Sequence, residues 1–262
     1  MIGTPSAAVR FRPVARFEAV LLDFANTVVQ YDRPQMQAIH VALAEHLSQA
    51  VAPIGAATLG RAMDHVCPSP ALSEDKREDT PAEEMRRVLC EAYGRPFAVD
   101  DPAVVAGQTR YHELFVDVLV LDDRTLPALR DIAASVPGGL VSNFPCGATL
   151  RRSLSALGIV ERFAPIVISG EVGYVKPHPK LFEVALDALG VAPERVLFVG
   201  DSWASDMVGA HAAGMATCHH RGMIAAQDHE GSYAIYRPDF TIEHLAQVGE
   251  ILAPAMRHPA RA

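Results

Sequence analysis

The chain has 262 residues, 50% of them apolar, enough to bury a sizeable core as one domain or as a domain carrying a smaller inserted one. With 23 Lys and Arg against 31 Asp and Glu the formal net charge is -8, the wrong sign for the counterion release on which nucleic-acid binding depends. No uncharged apolar run approaches the roughly 20 residues that span a bilayer, and residues 1–15 lack a continuous apolar segment. The expectation is therefore a cytoplasmic protein without a membrane partner.

Arg10, Arg12 and Arg16 make a small basic start, read as part of a flexible tail over 1–16. A first strand is predicted from Ala19 to Asp23. From about Gln30 to Leu121 no strong strand appears, and apolar residues spaced three and four apart predict helices over Gln35 to Ala50, Ala82 to Tyr93 and Ala103 to Leu119. Pro68, Pro70 and the charged run Glu74 to Asp79 interrupt this interval, the run reading as a solvated loop or helix end. Strands follow at Gly139 to Ser142, Pro165 to Ser169, Val196 to Asp201 and Ala216 to His219. The helices Thr149 to Leu157 and Pro179 to Leu189 lie between them, each ending at a glycine placed as a C-terminal cap, Gly158 or Gly190.

Strand and helix thus alternate, which predicts a doubly wound, Rossmann-like α/β core with a parallel sheet and helices on both faces. The core is expected over 17–30 and 122–252, a helical insertion over 31–121, and a second flexible tail over 253–262. Cys67, Cys90, Cys146 and Cys218 show no metal-ligand spacing and read as free thiols.

In such a sheet the ligand site lies at the carboxyl ends of the strands, so polar residues that end successive strands converge. Here they are Asp23, Ser142 and Asp201. Two carboxylates meeting at one sheet edge repel unless a cation sits between them, and hard oxygen ligands suit Mg²⁺. Asp206, just beyond Asp201, is placed to complete the cluster, although an aspartate there also reads as a helix N-cap. Lys176 would supply the positive charge that both a bound phosphate and a nucleophilic carboxylate need. Trp203 is expected to pack against the core or the insertion, or to line the mouth of the pocket.

Four short segments in order resemble the haloacid dehalogenase (HAD) superfamily. Asp23-Phe24-Ala25-Asn26-Thr27 is similar to its nucleophile loop, Val141-Ser142-Asn143 to its phosphate-binding strand end, Lys176-Pro177-His178-Pro179 to its lysine motif, and Gly200-Asp201-Ser202-Trp203-Ala204-Ser205-Asp206 to its acidic metal motif. The insertion resembles the superfamily's C1-type helical cap, and Pro238 to Ile242 its final core strand. The resemblance implies a hydrolase of a small phosphorylated metabolite, acting as a monomer or homodimer. Asp23 would attack phosphorus to give an aspartyl phosphate that water hydrolyses. Mg²⁺ would be held by Asp23, the backbone carbonyl of Ala25 and Asp201, with Asp206 in a direct or supporting role. Ser142, the Asn143 backbone and Lys176 would hold the phosphoryl oxygens.

One position departs from the pattern. Phosphatases of the superfamily carry a second aspartate where this chain has Ala25, and its proton transfers contribute on the order of 10²–10⁴ in rate. Dehalogenases of the superfamily carry an aromatic residue there and use no metal, which Ala25 and the intact acidic motif both oppose. Phosphonoacetaldehyde hydrolases do carry alanine, but form a Schiff base through a lysine of the cap. The one lysine of the insertion, Lys76, lies among Glu74, Asp75, Arg77, Glu78 and Asp79, and neighbouring carboxylates keep an amine charged. Asp-Phe-Ala-Asn-Thr is closest to a D-x-G-N-[TV] subgroup that includes sugar-phosphate phosphatases. A proton would then come from the substrate or from the cap, where His40, His65 and Asp32 are unranked candidates. A homologue that binds a phosphorylated ligand without turning it over is the non-enzymatic alternative.

Overall fold

The computed structural model describes residues 16–66, 75–223 and 237–253. Cys67, Pro68, Pro70, Glu74 and nearly all of both expected tails lie outside the described residues. The run Ala19-Val20-Leu21-Leu22 forms β1 (Ala19–Leu22), buried along its whole length. Its side chains alternate between two apolar clusters: Val20 and Leu22 pack on one face of the sheet, Ala19 and Leu21 on the other. A strand covered on both faces has no polar side to show, which is why it reads as an unbroken apolar run.

Between β1 and the next strand lie the helices α1 (Arg33–Ala50), α2 (Ala56–Val66), α3 (Pro81–Tyr93) and α4 (Pro102–Val118), followed by α5 (Thr125–Ser135). The starts of α3 and α4 share one device. Thr80 Oγ1 accepts the Glu83 N–H at 3.2 Å ahead of Pro81, and Asp101 Oδ1 accepts the Ala103 N–H at 2.8 Å ahead of Pro102. A proline in the first turn loses nothing by lacking a donor, because the amides there have no intrahelical partner. The chain enters and leaves this helical insertion across a bridge between Gln30 and Val120, whose N–H···O bond is 2.9 Å. The larger apolar cluster runs without a break from one face of the sheet into the insertion, through Phe24, Phe115 and Phe144.

The remainder alternates as expected: β2 (Gly138–Ser142), α6 (Gly147–Ala156), β3 (Ile166–Ile168), α7 (Ser169–Val172), α8 (Pro179–Leu189), β4 (Val196–Gly200), a π-helical turn (Trp203–Met207), α9 (Val208–Ala212), β5 (Ala216–His220), β6 (Phe240–Ile242) and α10 (Val248–Leu252). Gly158 and Gly190 take the left-handed conformations, φ 68° and 64°, of C-terminal caps. The six strands are all parallel in the order β3-β2-β1-β4-β5-β6. The winding therefore reverses between β1 and β4, and a crevice opens at their carboxyl ends.

Among the described residues the longer helices α2 and α5 and the short α7, α9 and α10 escape the sequence reading, as does the docking of the charged run after α2. Residues 75–79 form a loop in which Asp75, Arg77 and Asp79 are exposed as expected, but Glu78 is half-buried and hydrogen-bonds Ser169 of the core. The described cysteines Cys90, Cys146 and Cys218 are free. No helix among the described residues is long and apolar enough to cross a membrane.

Phe198 of β4 is fully buried and meets Phe182 of α8 edge-on, with ring centroids 5.4 Å apart. Phe198→Ala should cost about 3–5 kcal/mol, read as a lower urea midpoint with little change in slope.

Candidate active site

Asp23 directly follows β1, where its N–H donates to Val199 O at 2.9 Å and so fastens it to β4. The next turn is tight. Phe24 O accepts the amides of Val28 (2.8 Å) and Val29 (3.1 Å), and the Asn26 N–H returns to Val29 O at 2.7 Å. Asn26 has φ 58°, a left-handed conformation that asparagine tolerates better than most residues, and its Oδ1 accepts the Tyr31 N–H at 3.0 Å. Ala25 is half-buried in this turn, two residues past the carboxylate.

Lys176 is the centre of the arrangement. Its side chain is almost wholly buried, and Nζ lies 2.6 Å from Asp23 Oδ1, 2.8 Å from Val141 O and 2.7 Å from Asp206 Oδ1. Two of the ammonium's three protons are taken by hydrogen bonds to Asp23 Oδ1 and Val141 O. The Asp206 contact is a charge contact without hydrogen-bond angles, and Asp206 Oδ1 has no other donor. The Phe198 ring centroid lies 5.6 Å from the same Nζ.

Asn143 ties the loop after β2 to this lysine. Its Oδ1 accepts the Lys176 N–H at 2.7 Å and its Nδ2 donates to Lys176 O at 3.2 Å. The side-chain amide thereby fixes the main chain of Lys176, a link that sequence reading missed by giving Asn143 only a backbone role. Ser142, buried at the end of β2, sits in the same loop.

The acidic motif is shaped by close approach. A Cβ on Gly200 would fall 2.4 Å from Asp206 Oδ2, so only glycine fits. That oxygen accepts the Ser202 N–H at 2.9 Å, and Ser202 Oγ accepts the Ser205 N–H at 3.2 Å inside the π-helical turn. Asp206 thus lies within the turn, its carboxylate folded back onto Ser202. Asp201 is steadied from β5, where His219 Nε2 donates to its carbonyl at 2.8 Å. His219 also ends a strand, and the rule that found Asp23, Ser142 and Asp201 extends to it. Trp203 is half-buried against the smaller apolar cluster.

One carboxylate oxygen from each of Asp23, Asp201 and Asp206 lies within 4.8 Å of the others. Burial raises Asp201 well above the usual carboxylate range, and the charges of Asp23 and Asp206 raise it further. Asp23 is pushed up to about 6, mainly by burial, with Lys176 pulling the other way. For Lys176, burial opposes the charge, but Asp206 and Asp23 together outweigh it and hold the amine above the usual lysine range. We take the lysine as charged and the cluster as short of positive charge, since one ammonium faces three carboxyls. A hard divalent cation fits such a donor set, with the orphaned Asp206 Oδ1 as one available ligand.

The other sequence candidates stand apart from these contacts. Asp32 precedes α1, and its N–H is held by Gln35 Oε1 at 3.2 Å. His40 packs against Gly60 of α2, and burial lowers its pKa. His65 is exposed and pairs with Glu91 at 3.2 Å. Lys76 O accepts the Val175 N–H at 2.8 Å, which brings its main chain beside the lysine loop.

A parallel α/β sheet with clustered carboxylates and a buried lysine at its switch point describes a class of hydrolases. The chain belongs to the haloacid dehalogenase-like hydrolases, whose family pattern matches residues 17–214. Phosphoglycolate phosphatase of Escherichia coli K12 is 30% identical over 182 residues, which is 70% of this chain and 64% of that protein. Glyceraldehyde 3-phosphate phosphatase of Methanothermobacter thermautotrophicus is 32% identical over 163 residues, 60% of this chain and 70% of that one. Phosphoserine phosphatase of Thermus thermophilus is 39% identical over 98 residues, only 37% of either chain. In fold the chain is similar to the magnesium-bound HAD-hydrolase YfnB of Bacillus subtilis, with a TM-score of 0.69, 18% identity and coverage of 91% of this chain and 99% of that one. The 2-haloacid dehalogenase of Pseudomonas syringae gives 0.68 at 24% identity, with 90% and 98% covered.

Lys176→Met should leave the buried carboxylates unpaired and cost about 3–5 kcal/mol at pH 8. Because Asp23 and Asp201 are raised in the folded state, the folded variant takes up protons first. Its stability should therefore recover as pH falls from about 8 to 5, a trend that denaturant titrations at the two ends would read.

Proposed function

We propose that the protein is a Mg²⁺-dependent phosphatase of a small phosphorylated metabolite, working through an aspartyl phosphate on Asp23. The observation that carries this reading is the contact of Lys176 Nζ with Asp23 Oδ1 at 2.6 Å, inside the cluster of Asp23, Asp201 and Asp206. The phosphatase relatives and the magnesium-bound fold neighbour support it.

Asp23 would hold Mg²⁺ together with Asp201, Asp206 and the carbonyl of Ala25. When bound, the ion supplies positive charge to the carboxylates and to the phosphoryl oxygens. Lys176 keeps Asp23 ionised and aimed, so that an Oδ attacks phosphorus as the bond to the leaving oxygen breaks. Ser142 Oγ and the Asn143 N–H hold the equatorial oxygens, and Asn143 also anchors the lysine. Water then attacks the aspartyl phosphate, releasing inorganic phosphate and restoring Asp23.

Ala25 has no proton to give, so the departing oxygen must leave unaided or be protonated by the substrate or by a cap residue. This favours phosphates with good leaving groups. The helical insertion is read as the C1-type cap over 31–121 that selects the substrate, and the setting as cytoplasmic.

A Mg²⁺-dependent screen over phosphomonoesters, sugar phosphates, acyl phosphates and phosphonates, with Asp23→Asn as the blank, tests the reading. Turnover by the native enzyme should stop in the blank and on chelation, and return with Mg²⁺. A native enzyme that turns over none of these and fails to retain beryllium fluoride with Mg²⁺ would sink it. Ala25→Asp should raise kcat toward alkyl phosphomonoesters by at least about tenfold, with a smaller gain on acyl phosphates. An equal response on both would mean that Ala25 is not a missing acid.

A further inference from the structure

The charged run of the insertion is a strap across two loops of the core. Arg77 and Tyr174 form an antiparallel bridge, flanked by the Val175 N–H on Lys76 O at 2.8 Å and the Glu78 N–H on Gly173 O at 3.2 Å. Lys76 takes φ 53° to make it, a left-handed conformation that costs a residue with a Cβ about 1 kcal/mol or more. The Arg77 guanidinium lies 5.3 Å from the Tyr174 ring centroid, and that ring stacks on His178 at 3.9 Å. The strap is thus built onto the segment that carries Lys176.

The carboxylate of Glu78 reaches the second loop. It hydrogen-bonds Ser169 Oγ, which in turn accepts the Phe144 N–H at 2.7 Å and faces Phe144 O at 3.2 Å. Phe144 directly follows Ser142 and Asn143. A hydroxyl offers one proton and two lone pairs. When Glu78 is protonated it donates to Ser169, and the Ser169 hydroxyl donates its own hydrogen bond to Phe144 O, so every group is satisfied. When Glu78 is ionised the Ser169 proton turns to the carboxylate, and Phe144 O keeps only the Gly170 N–H at 3.1 Å.

We propose that Glu78 is a positioning residue: through the Ser169 hydroxyl it sets the Ser142–Phe144 loop that cradles the phosphoryl group. The assignment rests on the phosphatase reading for its consequence, though not for the linkage itself. Burial brings Glu78 to about 7; the Ser169 bond opposes this, and the charges of Glu84 on α3 and of neighbouring Asp79 add to it. The folded value lies above the ordinary 4.5. The stability that Glu78 contributes is therefore complete below that ordinary value and is lost as pH rises through about 7.

The test compares native protein, Glu78→Gln and Glu78→Ala with p-nitrophenyl phosphate and Mg²⁺ at pH 6 and 8. Glutamine imitates the protonated acid but cannot titrate. The ratio of native to Gln-variant KM should be near one at pH 6 and rise about fivefold by pH 8, ionisation of the substrate cancelling in the ratio. Glu78→Ala should raise KM about tenfold at pH 6, with kcat changed much less. Amide exchange at Phe144, followed by NMR, should quicken in the Ala variant and stay slow in the Gln variant. A KM ratio flat with pH together with unchanged Phe144 exchange in Glu78→Ala would overturn the proposal. If the native protein hydrolyses no phosphate ester, the phosphatase reading fails instead, and the exchange experiment still decides the linkage.

Discussion

One ammonium group organises this molecule's chemistry. Lys176 Nζ is buried among Asp23, Asp206 and the Val141 carbonyl, with contacts of 2.6 to 2.8 Å. Carboxylates brought from different loops into a closed crevice could not remain together in low dielectric without it. Its position rests on the backbone hold of Asn143, on the turn after β3 and on the strap against Val175. The lysine is a counter-ion first. On the proposed reading, a divalent cation and a phosphoryl group sharing the crevice would compete with these partners for its protons.

The fold brings these pieces together by its winding order. β1 and β4 are neighbours in the sheet although more than half the chain lies between them, and each ends in an aspartate at the reversal point. Asp23 is fixed by a ladder bond to Val199, and Asp201 by the His219 ring on the next strand. Gly200 then gives Asp206 the room to fold back toward both. These contacts fix the main chain at Asp23 and Asp201 and the carboxylate of Asp206, the kind of pre-organised frame that catalysis requires.

Strands buried on both faces are the easiest elements to read in a sequence. Val196-Leu197-Phe198-Val199 and Ala19-Val20-Leu21-Leu22 announce themselves as unbroken apolar runs, and the polar residue ending each marks the crevice. Helix α2 was hidden because its buried face is small, made of Leu59, Gly60 and Ala62. Helix α5 was hidden because Pro127 sits in its first turn, where proline does no harm. Glu78 was invisible for another reason: in a run of charges it reads as solvated, and its shelter comes from Ser169, 91 residues away. The Asn143 side chain reaches Lys176 across 33 residues. Long-range polar contacts of this kind leave no local pattern, since their partners are chosen by the fold.

The insertion and the sheet share one apolar cluster, in which Phe115 and Phe144 stand 4.5 Å apart and Tyr31 meets Phe115 at 5.0 Å. Any motion that parts the two must wet these rings. Hydration of aromatic and aliphatic surface carries a positive heat-capacity change. An equilibrium between closed and parted forms would therefore follow a curved van't Hoff plot, and temperature would become a variable controlling access to the carboxylates.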